Sequence, residues 1–93
     1  MILEIVSPEA TLFKGEVTSV AVPGVNGEFQ MLNNHAPIVS LLVKGNVKIN
    51  AQDIKIQKEF ISKFTKVNEQ TFWLPISSGT IEMNENKVIV LAD

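Results

Sequence analysis

The chain has 93 residues, of which 45% are hydrophobic and 19% charged, a composition that fits one packed globular domain and excludes a disordered segment. Its net charge of −2 with only eight basic residues excludes the dense positive patch that binding to a nucleic-acid backbone requires. There is no cysteine for disulfides or thiolate metal sites, and no apolar run approaches the about 18–20 residues of a membrane-spanning helix.

The first third of the chain is predicted to form short strands separated by turns. Residues 2–6 are a β-prone run that Ser7-Pro8 ends, and residues 16–22 alternate in the period of two typical of a half-buried strand. Asn26-Gly27 is a turn dipeptide that predicts a tight reversal into a strand over residues 28–32. Residues 33–37 are expected to form a loop, because Pro37 favours an extended conformation of the preceding residue.

The middle of the chain continues this pattern. Residues 38–43 are almost wholly apolar, which predicts a central strand buried on both faces. Residues 47–51 and 54–56 alternate, so residues 51–53 are expected to close a hairpin between them.

One stretch breaks the period of two. In residues 57–68 the apolar side chains follow helical spacing, which predicts an amphipathic helix of about three turns; they are Phe60, Ile61, Phe64 and Val67.

This helix has two interpretations. The favoured one is that it packs on the sheets and covers an open edge, and the other is that its aromatic stripe binds a partner.

After the predicted helix, Phe72, Leu74 and Ile76 share one face of a strand. Pro75 lacks an amide donor and therefore favours an edge position for this strand. Short strands over residues 81–83 and 87–91 complete an all-β domain over residues 1–93, either a sandwich or a barrel.

Residues suited to catalysis are sparse. A hydrolase would have to use the single histidine, His35, with Ser7 or Ser40 as nucleophile and an acid such as Asp53, but no Gly-x-Ser-x-Gly segment is present. His35 is more simply explained as a residue that holds its loop, with a subunit contact as the alternative. Trp73 offers a surface for stacking on a sugar, although packing is the commoner role of a strand tryptophan. No cofactor or metal site is predicted.

Three segments change this interpretation, and they lie at residues 5–17, 23–39 and 78–93. The first contains Ser7-Pro8-Glu9 before Phe13, the second contains Gly27-Glu28 and His35-Ala36-Pro37, and the third ends in Val90-Leu91-Ala92-Asp93. In their order and spacing they resemble the N-terminal domain of F-type ATP synthase epsilon subunits. The resemblance implies a two-layer antiparallel β-sandwich of about ten strands, here with one short inserted helix.

The departures from this family pattern carry their own expectations. Gln30 replaces a usual glycine, and Asn33-Asn34 replaces a usual Pro-Gly; because asparagine tolerates left-handed dihedrals, the loop shape should survive. The family pattern continues into a two-helix C-terminal domain, whereas this chain ends at Asp93. Inhibition by an extending helical hairpin and ATP sensing are therefore not expected of this chain.

The resemblance further implies a non-catalytic central-stalk subunit that links the gamma subunit to the c-ring and couples proton transport to ATP synthesis. Such a subunit would lie peripherally on the cytoplasmic face of the bacterial inner membrane and contact the membrane only through the c-ring. Carried over by matching positions, the expected interface residues near the ring-facing end, where gamma also approaches, are Glu28, Phe29, Met31 and His35, and those facing gamma are Ser7 and Ser40. The alternative is a small β-sandwich module that binds a ligand or a carbohydrate.

Overall fold

The computed structural model describes residues 1–93 and consists almost entirely of ten β-strands. The strands are Ile2–Val6 (β1), Thr11–Glu16 (β2), Ser19–Gly24 (β3), Gly27–Leu32 (β4), Ile38–Leu42 (β5), Gly45–Asn50 (β6), Thr65–Asn68 (β7), Thr71–Ile76 (β8), Gly79–Asn84 (β9) and Lys87–Ala92 (β10). One short 3₁₀ helix, Ile61–Lys63, precedes β7. The chain forms no helix with the length and apolar character that crossing a bilayer requires.

Ten hydrogen-bonded strands form one curled sheet that divides into two five-stranded layers. Layer I has the order β2-β1-β10-β9-β5, and layer II has the order β4-β3-β6-β8-β7. The layers are joined at one backbone bridge, where Gly24 of β3 pairs with Leu42 of β5. All neighbouring pairs are antiparallel except β1 with β10. The expected two-layer architecture of about ten strands is therefore confirmed.

The core lies between the layers and is one cluster of 22 buried hydrophobic residues. Strand alternation sends every second side chain inward, so β3 contributes Val20 and Val22 while β10 contributes Val88 and Val90. The same alternation holds in β8, where Phe72, Leu74 and Ile76 are buried as predicted. Each layer therefore has one apolar inner face and one outer face whose composition the core does not dictate.

The prediction of a strand buried on both faces at residues 38–43 is wrong. β5 is the last strand of layer I, and its side chains alternate between the core and the outer surface. Leu42 is buried, whereas Val39 and Leu41 point outward and are 76% and 66% exposed. A continuous apolar run is ambiguous, because a strand with one apolar outer face gives the same pattern as a strand buried on both sides.

The predicted helix over residues 57–68 is also wrong. Only Ile61–Lys63 form a helical turn, and Thr65–Asn68 are β7, paired with β8. Phe64 is buried and Phe60 packs against the core, but Ile61 and Val67 are largely exposed, so the helical stripe never forms one face. The free edge of β8 needs hydrogen-bond partners, and Thr65, Lys66 and Asn68 pair with it, while Val67 lies at a bulge.

The segment of residues 51–64, which forms no helix beyond the turn at Ile61–Lys63, lies along an open side of the sandwich. Its first residues, 51–53, lie beside Glu16 at the end of β2. Its last residues, Ser62 and Lys63, lie near Leu12 at the start of β2 and Ile76 at the end of β8. Ile54 and Ile56 pack against the core on the way and belong to no strand, so the predicted hairpin closed by residues 51–53 does not form. β6 instead pairs with β3 and β8.

The predicted tight reversal before β4 is confirmed, whereas the predicted edge position of the strand with Pro75 holds only locally, because β8 lies between β6 and β7. Val25-Asn26 connect β3 to β4, and Gly27 has a φ of 114°, which a residue with a Cβ adopts only under strain. Pro75 pairs with Asn46 on one side, while β7 pairs only as far as Trp73 and leaves the other side of Pro75 free. Proline is tolerated there because that stretch of β8 is locally an edge.

Candidate partner-binding surfaces

The expected interface residues fall into groups at different places on the fold. Glu28 and Phe29 lie at the start of β4, beside the β3–β4 turn. Together with Ile38 and Ser40 of β5 they line a shallow cleft of about 320 Å³ between the facing edges of the two layers. Phe29 packs partly against the core, and the Ser40 hydroxyl donates to the Leu41 carbonyl at 3.3 Å. The structure thus brings Glu28, Phe29 and Ser40 together.

Glu28 is not a free carboxylate. Its Oε1 lies 2.9 Å from Nζ of Lys48, and both side chains remain partly exposed. The same ammonium lies 4.5 Å from the centroid of the Trp73 ring, within the range of a cation–π interaction. These three side chains come from β4, β6 and β8 and meet on the outer face of layer II. No local pattern in the sequence links them, so the contact was not predicted.

His35 lies away from this group. β4 runs from Gly27 to Leu32, which places Glu28 at one end of the strand and the His35 loop beyond the other end. The His35 side chain is exposed, and its Nδ1 lies 2.7 Å from the Ala36 carbonyl, which accepts from the tautomer protonated there. The expectation that Glu28 and His35 share one end of the domain does not match this geometry.

The loop that carries His35 is held by asparagines. Asn34 has a φ of 62°, so it occupies the left-handed region that the sequence predicted for it. Its backbone amide donates to Oδ1 of Asn86 at 2.7 Å, and Nδ2 of Asn86 donates to Oδ1 of Asn33 at 2.8 Å. Asn86 belongs to the two-residue β9–β10 turn, so this turn fixes the loop between β4 and β5.

The other two expected residues have structural surroundings. Met31 is fully buried in the core, so its side chain supports β4 from inside and does not reach a partner surface. The Ser7 hydroxyl donates to the Ala10 carbonyl at 3.2 Å and stabilises the β1–β2 turn. Ser7 directly follows Val6, which pairs with Leu91, and therefore borders the outer face of layer I.

That outer face carries a group of apolar side chains, several of which the sequence pattern predicted to be buried. We call it the apolar face, and it consists of Val6, Val39, Leu41, Ile89 and Leu91. Leu41 and Leu91 flank Thr80 in one row of paired residues, and Val39 and Ile89 flank Glu82 in the next. Val25 and Val43 extend the first row around a depression of about 510 Å³. Contiguous exposed apolar groups are a common mark of an interaction surface.

The two rival hypotheses from the sequence find little support. The face of Trp73 is covered by the Lys48 ammonium, and this tryptophan lines none of the five main surface pockets, which argues against a sugar platform. His35 has no serine or acid among its hydrogen-bond partners, and it also lines none of those pockets. The geometry that a sugar-binding groove or a triad needs is not built around either residue.

Comparison with solved structures supports the fold. The chain matches a chain in the Euglena gracilis mitochondrial ATP synthase OSCP/F1/c-ring structure with a TM-score of 0.77 at 18% identity, and covers 99% of itself and 49% of that chain. It matches a chain in the Tetrahymena thermophila mitochondrial ATP synthase central stalk/c-ring structure with a TM-score of 0.67 at 13% identity, covering 62% of that chain. The chain thus spans about half to two thirds of those longer chains.

Comparison with known sequences identifies the family. The profile described as "ATP synthase, Delta/Epsilon chain, beta-sandwich domain" matches residues 1–63. The ATP synthase epsilon chain of Chlorobaculum tepidum is 36% identical over 91 residues, and the match covers 98% of this chain and 86% of that protein. The epsilon chain of Sulfurimonas denitrificans is 33% identical, with 58% of it covered. The chain therefore belongs to the ATP synthase delta/epsilon family and carries its β-sandwich domain.

Proposed function

We propose that this chain is a non-catalytic central-stalk subunit of an F-type ATP synthase, which joins the gamma subunit to the c-ring so that ring rotation driven by proton transport is coupled to ATP synthesis. Residues 1–93 act in it as one epsilon-type β-sandwich domain. The observation that carries the proposal is the pairing of this family's fold with the exposed apolar face on the outside of layer I. No cofactor or metal takes part in this role.

The apolar face is the proposed contact with gamma. Burial of apolar area is the main favourable term in stable association, and Val39, Leu41 and Leu91 are among the most exposed large apolar side chains of the chain. Ser7 lies at the margin of this face, whereas Ser40 alternates with Leu41 to the other side of β5 and lines the cleft that contains Glu28 and Phe29. A polar margin around an apolar centre is the usual composition of a protein interface.

The end of the domain that carries Glu28 is the proposed contact with the ring. Glu28 and Phe29 stand beside the β3–β4 turn, where Glu28 is half exposed and open to the polar loops of a neighbouring subunit. Met31 acts from the core by fixing β4, and His35 makes a separate contact from the opposite end of β4. The subunit lies peripherally on the cytoplasmic face of the bacterial inner membrane and reaches the membrane only through the ring.

The task in this assembly is mechanical, and the fold suits it. Two layers packed around one close-packed core resist shear, because interiors at crystal-like density have low compressibility. The layers are further tied by the Gly24–Leu42 bridge and by the asparagine contacts of the His35 loop. A torque applied at the apolar face can therefore be carried to the Glu28 end without deformation of the domain.

Size-exclusion chromatography of the chain mixed with purified gamma subunit from the same organism tests the proposal. We expect the two to elute together as a complex that then captures detergent-solubilised c-ring. Separate elution of the chain and gamma at micromolar concentrations would contradict the stalk assignment. Isothermal titration calorimetry should in addition detect no ATP binding by the isolated chain, and micromolar ATP affinity would contradict the purely mechanical role.

A further inference from the structure

The tip of the β3–β4 turn carries the only Asn-Gly pair of the chain, Asn26-Gly27. The chain has eight asparagines, and each of the other seven is followed by a residue with a side chain. A Cβ on the following residue hinders the approach of its backbone nitrogen to the asparagine carboxamide, whereas glycine imposes no such restriction. Asn26 is therefore chemically distinct from the other asparagines.

The fold leaves the side chain of Asn26 unrestrained. Asn26 and Gly27 are both exposed, and the Asn26 carboxamide makes no hydrogen bond within the chain. Gly27 has a φ of 114°, and a Cβ placed on it would meet no atom within 4 Å. The space around the pair is therefore open to solvent, and no neighbouring group holds the carboxamide away from the backbone.

The backbone at this position can also open locally. β4 pairs only with β3, and Gly24–Gly27 is the last pair of that ladder, directly beside the turn. Opening of this one pair releases the Gly27 amide while the pairs from Pro23–Glu28 onward stay closed. Fraying at the end of an edge strand costs much less free energy than unfolding of the domain.

We propose that Asn26 is a site of spontaneous deamidation in the folded protein. The Gly27 backbone nitrogen loses its proton and attacks Cγ of Asn26, the Cγ–Nδ2 bond breaks, and Nδ2 leaves as ammonia with that proton. The product is a five-membered succinimide, which water opens at one of its two carbonyl carbons. Attack at Cγ gives aspartate, and attack at the backbone carbonyl carbon gives isoaspartate. The net reaction consumes one water, releases one ammonia and needs no oxidant or reductant.

The two products change the turn in different ways. Aspartate keeps the backbone and adds one negative charge, which takes the net charge of the chain from −2 to −3. Isoaspartate routes the main chain through Cβ and Cγ and so lengthens it by one carbon. Only Val25 and Asn26 connect β3 to β4, and such a short connection fixes the strand register, so the extra atom should loosen the Gly24–Gly27 pair.

Two nearby asparagines serve as internal controls. Oδ1 of Asn33 accepts a hydrogen bond from Nδ2 of Asn86 at 2.8 Å, and Asn33 and Asn34 are both followed by residues with a Cβ. No lysine or arginine lies between positions 14 and 44, so trypsin releases residues 15–44 as one peptide. This peptide contains Asn26 and both controls, and fragmentation by mass spectrometry distinguishes them.

The test is prolonged incubation of the folded chain at physiological temperature and mildly alkaline pH. Tryptic peptides are then followed by mass spectrometry, and isoaspartate is detected by an isoaspartate-specific carboxyl methyltransferase with labelled S-adenosylmethionine. Asn26→Gln is the matched variant, because its longer side chain would have to close a less favourable six-membered ring. A parallel sample in urea gives the rate for the unfolded chain, and circular dichroism melts establish that the variant is folded.

We expect residue 26 to gain about 1 Da and to account for most of the isoaspartate. Asn33 and Asn34 should react at least about tenfold more slowly, and the native rate at Asn26 should lie within about tenfold of the rate in urea. Asn26→Gln should lose nearly all of the methyl incorporation.

An Asn26 that stays unmodified in the native chain would overturn the inference, whether or not it reacts in urea. Equal rates at Asn26 and at the two controls would also contradict it, as would full methyl incorporation by a folded Asn26→Gln variant. Each of these results concerns the turn alone and leaves the proposed stalk role untouched.

Discussion

The outer faces of the two layers are built on the same strand alternation but carry opposite chemistry. Layer I presents the apolar face, in which exposed Val39, Leu41 and Leu91 surround a few polar residues. Layer II presents the polar side chains of Glu28, Gln30, Lys48 and Asn50. The ring of Trp73 also lies on this face, where the Lys48 ammonium partly covers it. The inner faces show no such contrast, since both contribute to the same core.

This contrast separates folding from assembly. The inner faces must be apolar because the fold depends on their burial, but nothing in the fold requires an apolar outer face. Apart from the exposed Leu32 and Val67, layer II meets solvent mainly with charged and amide groups. Layer I leaves apolar area exposed whose burial becomes favourable only in a complex. We therefore expect substitutions on the two faces to have separable effects on stability, gamma binding and ring binding.

The largest expected effect separates the two sides of layer I. Leu42→Ala should lower the free energy of unfolding by about 2–5 kcal/mol, because it opens a cavity in the core. The same substitution at the adjacent exposed Leu41 should cost less than about 0.5 kcal/mol. Urea unfolding followed by the fluorescence of the single tryptophan, Trp73, measures both. Equal losses at the two positions would mean that the outer face also supports the fold.

A second effect tests whether the apolar face binds gamma. The double substitution Val39→Asp with Leu41→Asp should weaken gamma binding at least about 100-fold, since two carboxylates would be desolvated without partners. Thr65→Asp with Val67→Asp is the control, because it adds two acids to β7, the exposed edge strand of layer II. Calorimetric titration with gamma should give near wild-type affinity for the control. Unchanged affinity in the β5 variant would remove the apolar face from the gamma contact.

A smaller effect concerns the polar face. Glu28→Arg should weaken attachment to the c-ring about tenfold, because it places a second cation beside Lys48 and removes the carboxylate. Folding should be retained, since Glu28 is half exposed. Glu69→Arg is the matched control, as Glu69 is also an acid paired with a lysine, Lys66, on layer II. If ring pull-downs are equally strong for Glu28→Arg and wild type, Glu28 is not part of the ring contact.

The smallest effect concerns the loop that joins the two layers between β4 and β5. Asn34→Ala should lower the free energy of unfolding by about 1 kcal/mol, because alanine is strained at a φ of 62°. Asn34→Gly should leave it unchanged within about 0.5 kcal/mol, since glycine adopts this conformation freely. Urea unfolding measures both variants. Equal stability of the alanine and glycine variants would show that the asparagine is not retained for its backbone conformation.

Features that depend on neighbouring residues in the chain were predicted well. Alternation at Phe72, Leu74 and Ile76, the tight reversal between β3 and β4 and the left-handed Asn34 all follow from local propensity. The prediction of a helix over residues 57–68 was wrong because part of this stretch pairs with the edge of β8. That pairing depends on a strand further along the chain, which the local apolar spacing does not reveal. The strand at residues 38–43 failed because hydrophobicity does not distinguish a buried face from a face that awaits a partner.

The candidate site divides in the same way. Glu28 was identified from a family motif, but its partners Lys48 and Trp73 lie 20 and 45 positions further along the chain, in strands whose register the sequence does not state. Met31 was expected at the interface from its matching position in the family, yet the packing of the two layers buries it. His35 and Glu28 are seven residues apart, and an extended β4 between them places them at opposite ends of the strand.

By itself the sequence determined the all-β class, the positions of most turns and the family, because these depend on propensities, dihedral preferences and short motifs. Tertiary structure decided which apolar residues face the core and which form an outer surface, and it decided which partner holds Glu28. The physical reason is that alternation along a strand defines two faces but does not say what covers either one. Only the pairing of distant strands into two layers supplies that information.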